Sequence, residues 1–346
     1  MGSIPCFLYC PKVISFLAAV FCREICRTGF VYRVFLKVMM EFDYYFFSLV
    51  FLENYIKNQS SEQGMIWMNL PERYRTDNAK FVILPIQYEK ALTYGTGASL
   101  GSQEIIKASE HLEYYDDQFD CEPFEQGIKV LEPLSLNDSS PEEMVKTVSE
   151  TIQNIPYEKF ILGLGGDHAA TIGIVKGLEQ MHSDFSVIQF DAHADFRDSW
   201  NGSSLNHACV AKQISRKHSL LLVGVRSMDV DEKRQMDESS KVHLISRYDF
   251  SMEKIKEILP KLRPKVFITI DVDVFDPSCI RNTGTPEPGG LRWEEVIDAL
   301  QLIFQEKEVI GADIVEFAPN DHFDAEAYSL AKLGYKMMGL KEKYGK

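Results

Sequence analysis

Ser186-Val-Ile-Gln-Phe-Asp-Ala-His-Ala-Asp195 begins as a short β-branched and aromatic run and closes on three polar residues spaced two apart. Such a run predicts a strand, and in extended chain positions i, i+2 and i+4 point to one side. Asp191, His193 and Asp195 therefore converge just past a strand end, and the small alanines between them leave room for an ion. A second apolar run, over 266–270, ends in Asp271-Val-Asp273, followed by Asp276-Pro277. A third ends in Gly165-Gly-Asp-His168. Gly163-Leu-Gly165-Gly166 is not a dinucleotide fingerprint, because the third glycine is missing and position 168 is His.

From residue 80 onward the same alternation repeats. Strands are expected over 81–88, 129–134, 160–165, 186–191, 220–226, 242–246, 266–271 and 309–316. Amphipathic helical stretches lie between them, over 141–155, 169–182, 251–262 and 292–307. Ser140, Pro141 and Glu143 supply a cap, a first-turn proline and a capping-box acid for the first of these helices. Apolar strands alternating with helices predict an α/β fold with a parallel sheet covered on both faces. Ligands of such sheets bind at the carboxyl ends of the strands, where the polar triplets fall.

Three strand ends thus deliver four carboxylates (Asp191, Asp195, Asp271, Asp273) and two imidazoles (His168, His193). Taken singly, Asp-x-His-x-Asp also suits a hydrogen-bonded loop, and Asp-x-Asp suits turn or cap chemistry. Together they are hard to explain by structure alone, since clustered carboxylates repel one another. A pair of divalent ions sharing bridging carboxylates uses all six residues. Mixed Asp/His ligation without thiolate suits Mn²⁺ better than structural zinc.

The chain has 346 residues, 45% hydrophobic and 25% charged, a globular composition. Its net charge of −14 argues against nucleic acid and favours a cationic small-molecule partner. Residues 1–40 differ: Lys12, Arg23, Arg27, Arg33 and Lys37 face only Glu24, a local net of +4 that leaves −18 elsewhere. Residues 1–64 are expected to be an apolar, basic extension the fold does not need, with Met65 or Met68 as alternative starts and 65–346 as the catalytic domain. Its longest clean apolar run, 13–22, is too short to span a bilayer, although a membrane-associating role stays open. Cys6, Cys10, Cys22 and Cys26 pair at a loose spacing with no His nearby, a weak metal signal.

The motifs quoted above, with Asn206-His207-Ala, Gly284-Thr-Pro-Glu-Pro-Gly-Gly290, Glu316 and the Tyr94-Gly-Thr-Gly stretch, resemble the ureohydrolase family of arginases and agmatinases, on the agmatinase side. The resemblance runs from about residue 80 to the C-terminus. It implies a three-layer α/β/α sandwich with an eight-stranded parallel sheet. It further implies two Mn²⁺ per subunit, His168 and Asp195 holding one, His193 and Asp273 the other, with Asp191 and Asp271 bridging. A hydroxide between the metals would attack a guanidinium carbon, oriented by Asp195. Glu316 would fix the guanidinium plane, and His207, as a His titrating near neutrality, would shuttle the proton to the leaving amine. Ala169 and Asn206 stand where serine is usual in the family, and neither change removes a ligand.

Agmatine, hydrolysed to putrescine and urea, is the expected substrate, because the loop 196–202 lacks the arginase pattern for an α-amino acid. Guanidinobutyrate, guanidine and arginine are the alternatives within the family. Outside it stand a one-metal deacetylase of similar fold, which leaves His168 and Asp273 unexplained, and a silent homologue that binds without catalysis. Arg197 could pair with a substrate carboxylate, though a solvated arginine or one paired to Asp198 is the plainer expectation. Cys121, Cys209 and Cys279 give no disulfide framework, so a cytoplasmic setting is expected. The resemblance implies a homo-oligomer, trimer or hexamer.

Overall fold

The computed structural model describes residues 64–90, 94–320 and 325–345. The expected extension over 1–64 lies, but for Gly64, outside the described residues. Nine strands are described: β1 Phe81–Gln87, β2 Ile128–Val130, β3 Leu134–Ser135, β4 Phe160–Leu164, β5 Ser186–Phe190, β6 Leu220–Val225, β7 Val242–Ser246, β8 Lys265–Asp271 and β9 Glu308–Val315. The helices are α1 Gly101–Ser109, α2 Pro141–Gln153, α3 Ala170–Met181, α4 Val210–Ser215, α5 Val230–Glu238, α6 Met252–Ile258, α7 Trp293–Glu306 and α8 Ala325–Tyr344.

The strand order is β2-β1-β4-β9-β8-β5-β6-β7, with every pairing parallel. The eight expected strands become nine because the run 129–134 is broken. β2 and β3 both pair with β1, separated by Leu131, Glu132 and Pro133. Proline has no N–H to donate and interrupts a ladder. Eight positions across the sheet are nevertheless filled, as expected. Most other boundaries shift by a residue or two, and the stretch 251–262 tightens after α6 into a short 3₁₀ turn, Leu259–Lys261.

Side-chain alternation sorts each strand between two apolar layers. Phe81, Leu162, Ile188, Phe190 and Leu221 pack on one face with α1, α7 and α8. Val82, Leu84, Ile161, Val187 and Leu222 pack on the other with α2, α3 and α4. Each large side chain buried there contributes about 1.5–3 kcal/mol relative to exposure. α2 starts as expected: Glu143 N–H donates to Ser140 Oγ at 3.2 Å and Ser140 N–H to Glu143 Oε2 at 2.8 Å. That capping is worth about 1 kcal/mol.

The sheet order has one consequence for chemistry. β4, β9, β8 and β5 are consecutive neighbours, and the residues at or just past their carboxyl ends are His168, Glu316, Asp271 and Asp191.

Candidate metal centre and its cavity

His168 follows β4 across Gly165 and Gly166. A side chain at Gly166 would put its Cβ 1.8 Å from Tyr88 O, so only glycine lets β4 turn this tightly against the end of β1. The imidazole is completely buried, with Nε2 3.0 Å from Thr269 Oγ1. Thr269 Oγ1 lies 3.3 Å from Thr171 Oγ1, and Thr171 donates to Asp313 Oδ2 at 2.8 Å. Burial pushes the Asp313 carboxyl up to about 6, so it is still an acceptor at neutral pH. Asp313 takes hydrogens from Thr171 and Thr269, which leaves Thr269 Oγ1 to accept from His168 Nε2–H.

His168 Nδ1, the other ring nitrogen, faces oxygen; burial alone would lower the imidazole, but Asp191, Asp195 and Asp271 outweigh it and hold it well above its ordinary range. Asp191 Oδ2 and Asp195 Oδ2 lie 3.2 Å away and Asp271 Oδ2 3.3 Å away, yet Nδ1 makes no well-formed hydrogen bond. Three carboxylates around one buried imidazole need positive charge among them, a proton or a cation. His193 repeats the pattern: Nδ1 lies 2.8 Å from Asp273 Oδ2 and 3.8 Å from Asp191 Oδ1. Two groups of candidate ligands result, His168–Asp191–Asp195 and Asp191–His193–Asp273, with donor atoms in each within 4.8 Å of one another. Asp191 belongs to both and turns a different oxygen to each imidazole. An all-oxygen-and-nitrogen donor set in two groups sharing a carboxylate fits two divalent cations.

The remaining carboxylate oxygens are oriented by the backbone. Asp191 Oδ1 accepts from His193 N at 2.6 Å, Asp271 Oδ1 from Asp273 N at 3.0 Å and Asp273 Oδ1 from Ala192 N at 2.9 Å. Asp195 and Glu316 both adopt positive φ, +49° and +66°, strain of the kind that collects at functional sites. The titrations record the crowding. Burial and the neighbouring Asp191 push Asp195 up to about 7. Burial alone would lower His193, but Asp273, Asp191 and Asp195 outweigh it and hold the imidazole at about 11. The field that holds a proton there also holds a divalent cation.

A cavity of about 380 Å³ opens above this floor, lined by His193, Asp195, Asp271, Asp273, His207 and Glu316. Glu316 Oε1 accepts from His168 N–H at 2.7 Å, and burial beside Asp167 holds its carboxyl well above the ordinary range. His207 sits in a 3₁₀ turn capped by Asn206, whose Oδ1 accepts from Ala208 N at 3.1 Å, the capping task of the serine usual there. Burial, with His168 and His193 nearby, lowers the His207 imidazole to about 4. It is neutral at pH 7, not poised near neutrality as the sequence led one to expect, because the cavity wall strips its water. Ala169 is buried in an apolar layer.

All six expected ligands, His207 and Glu316 meet at this one place. Asp276 does not join them; it accepts from Ser278, Gly289 and Gly290. Arg197 pairs with Asp229 at 2.8 Å and Glu232 at 3.8 Å and lies over Trp200, while Asp198 faces Lys212. Of the two plainer expectations, a solvated arginine or one paired to Asp198, the second is not met: the capping box of α5 supplies two acids better placed than a chain neighbour. Sequence reading also missed Gln189, which donates to Asp191 Oδ2 at 2.7 Å, and Thr269. Both are polar residues inside apolar strands, two positions before an aspartate, and that spacing was the available signal.

The model of the arginase family matches residues 79–339. An N(1)-aminopropylagmatine ureohydrolase of Thermus thermophilus is 35% identical over 271 residues, 77% of this chain and 91% of its own. An agmatinase of Pyrococcus horikoshii is 34% identical over 268 residues, 76% of this chain and 92% of its own. The crystal structure of an agmatine ureohydrolase of Thermoplasma volcanium superposes with a TM-score of 0.69 at 28% identity, covering 78% of this chain and 92% of that one. The chain belongs to the arginase family. Like the ureohydrolases it resembles, it is an amidine hydrolase by family.

Proposed function

We propose that the chain hydrolyses the guanidinium of a cationic amine of the agmatine type to urea and the free amine, with two Mn²⁺ held by His168, Asp191, His193, Asp195, Asp271 and Asp273. The observation that carries this reading is His168 Nδ1, a buried ring nitrogen enclosed by three carboxylates, with Glu316 hydrogen-bonded to the same residue's backbone. His168 and Asp195 would hold one ion, His193 and Asp273 the other, and Asp191 and Asp271 would serve both. So held, the metals supply activation of water near neutral pH and polarisation of the reacting carbon.

The chain's own residues do the rest. Glu316 has one oxygen committed to His168 N–H, and Gly284 lies beside the other. That second oxygen accepts guanidinium N–H groups and sets the plane of attack. Asp195 accepts a hydrogen bond from the attacking water and so aims its lone pair. His207, neutral at pH 7, takes up a proton released in the attack and returns it to the leaving amine. Among the described residues, the cavity walls add Glu89, Asp229, Glu232 and Glu287 against one arginine, Arg197, already paired, which suits a substrate with a second positive charge.

A longer substrate, N1-aminopropylagmatine, is the second reading, favoured by the 35% identity to the Thermus enzyme. Urea release by the manganese-loaded full chain from agmatine, aminopropylagmatine, guanidinobutyrate and arginine separates these readings. Release only from arginine would refute a cationic tail, and release from none with manganese bound would indicate a silent homologue. The same assay on residues 65–346 tests whether that part holds the whole chemistry. The free thiols Cys121, Cys209 and Cys279 suit a cytoplasmic setting. Sedimentation would check the trimer or hexamer. No described helix is long and apolar enough to cross a membrane.

A further inference from the structure

The motif Gly284–Gly290 enters the cavity wall through Glu287. Neighbouring side chains grip this loop by its backbone. Arg226 Nη2 donates to Glu287 O and to Asp273 O, each at 2.7 Å, and its Nε donates to Pro288 O at 3.1 Å. Asp276 Oδ2 accepts from Gly289 N and Gly290 N at 3.0 and 3.2 Å, and Arg247 Nε donates to Gly290 O at 2.9 Å. Gly290 packs so closely on Phe275 that a Cβ would lie 2.4 Å from the Phe275 carbonyl carbon. Pro286 and Pro288 flank Glu287 and restrict its backbone from both sides.

The loop is thus fixed, while the Glu287 carboxylate is left uncommitted. No described residue donates a hydrogen bond to it; the nearest cationic partner is His193 Nε2 at 3.8 Å. The other acids of the wall are occupied. Glu89 accepts from Gly97 N, Ser99 N and Ser99 Oγ. Asp229 and Glu232 cap α5 and hold Arg197.

Resting on the proposed function, we propose that Glu287 selects the charge of the substrate's tail, favouring an ammonium and rejecting a carboxylate at the same distance from the guanidinium. A partly shielded carboxylate on a backbone held in place does this at little ordering cost of the loop on binding. Rejection matters as much as attraction, since a like charge in the wall works against the wrong substrate.

The test compares agmatine with 4-guanidinobutyrate, which differ at the tail alone, on the manganese-loaded full chain and on Glu287→Gln. The ratio of kcat/KM for agmatine to that for guanidinobutyrate should fall by about 10- to 100-fold, because the charge acts with opposite sign on the two tails. Calorimetry with the product-like amines gives a second readout: putrescine should bind more weakly to Glu287→Gln and γ-aminobutyrate more tightly. Glu287→Asp, keeping the charge, should retain most of the wild-type preference. An unchanged ratio overturns the inference. So does an equal loss for both substrates with reduced manganese content, which would mean that Glu287 acts through His193. If the wild-type chain releases urea from neither compound, the proposed function fails, and the calorimetric arm still decides the role of Glu287.

Discussion

At the floor of the cavity, side chains take their places from the pleat of four neighbouring strands; at the rim, loops are held in place by their backbones. Asp191, Asp271, His168 and Glu316 stand at or just beyond strands that pair in consecutive order, so the sheet itself delivers them to one place. Arg197, Glu287 and Glu89 come from loops; bonds to carbonyls and amides fix the Glu287 loop and Glu89, and the ion pair with Asp229 fixes Arg197. The floor is buried and mutually dependent, so loss of one member leaves its neighbours uncompensated. The rim is partly hydrated and modular, so its members can be changed one at a time. Chemistry belongs to the floor and selectivity to the rim, and that division can be attacked experimentally at both ends.

The heaviest blow to the floor is Asp191→Ala. It removes the one carboxylate that faces both imidazoles. Manganese binding should drop from two ions to one or none by metal analysis, and urea release should fall below detection. If two ions still bind, Asp191 does not bridge. In the wild-type chain, free manganese at a hundred times its dissociation constant should stabilise the fold by about 2.7 kcal/mol per site. In Asp191→Ala that gain should shrink or vanish in thermal unfolding.

Next comes Glu316→Gln. It keeps the hydrogen bond from His168 N–H through an amide oxygen but loses the charge that pairs with a guanidinium. We expect kcat to fall by about 10²–10³, as when a transition-state partner is removed, with manganese content unchanged. A Glu316→Gln variant within threefold of wild type would move the guanidinium-orienting role elsewhere in the cavity.

Thr269→Val sharpens the comparison from beneath the floor. It is nearly isosteric and removes the acceptor that keeps the hydrogen on His168 Nε2. Residues that orient a metal-binding His typically cost about 10- to 100-fold in affinity or activity when lost. The manganese dissociation constant should rise by that factor while the KM for agmatine at saturating metal stays constant. A change in KM alone would contradict the direction of the hydrogen-bond chain from His168 to Asp313.

The same contrast explains what was legible in the sequence. The floor was legible because strand periodicity places Asp191, His193 and Asp195 on one side, and because buried carboxylates in number demand a cation. β2 and β3 were read as one strand because the apolar pattern runs across Glu132-Pro133, while the missing proline N–H breaks the ladder. The rim was not legible. Arg226 binds only carbonyl oxygens, which every residue carries, so its partners leave no mark in the pattern of side chains. Arg197 shows the same blindness, since its acids come from the start of α5 and not from the adjacent Asp198. The His207 titration also escaped the sequence, since burial sets it.

The gentlest test of the rim is Arg197→Ala. Its guanidinium is about one-third exposed, pairs with Asp229 and stacks on Trp200. A pair of this kind contributes roughly 0–1 kcal/mol, so the melting temperature should fall by only a few degrees. Its loss frees a carboxylate in the cavity wall and makes the rim more negative. For a cationic tail, kcat/KM should then hold or rise by up to about threefold, from the added attraction in a partly hydrated site. Guanidinobutyrate turnover should not improve. A tenfold collapse of agmatine turnover in Arg197→Ala would instead make Arg197 part of the floor's machinery, and the division between the two regions would have to be redrawn through the 196–202 loop.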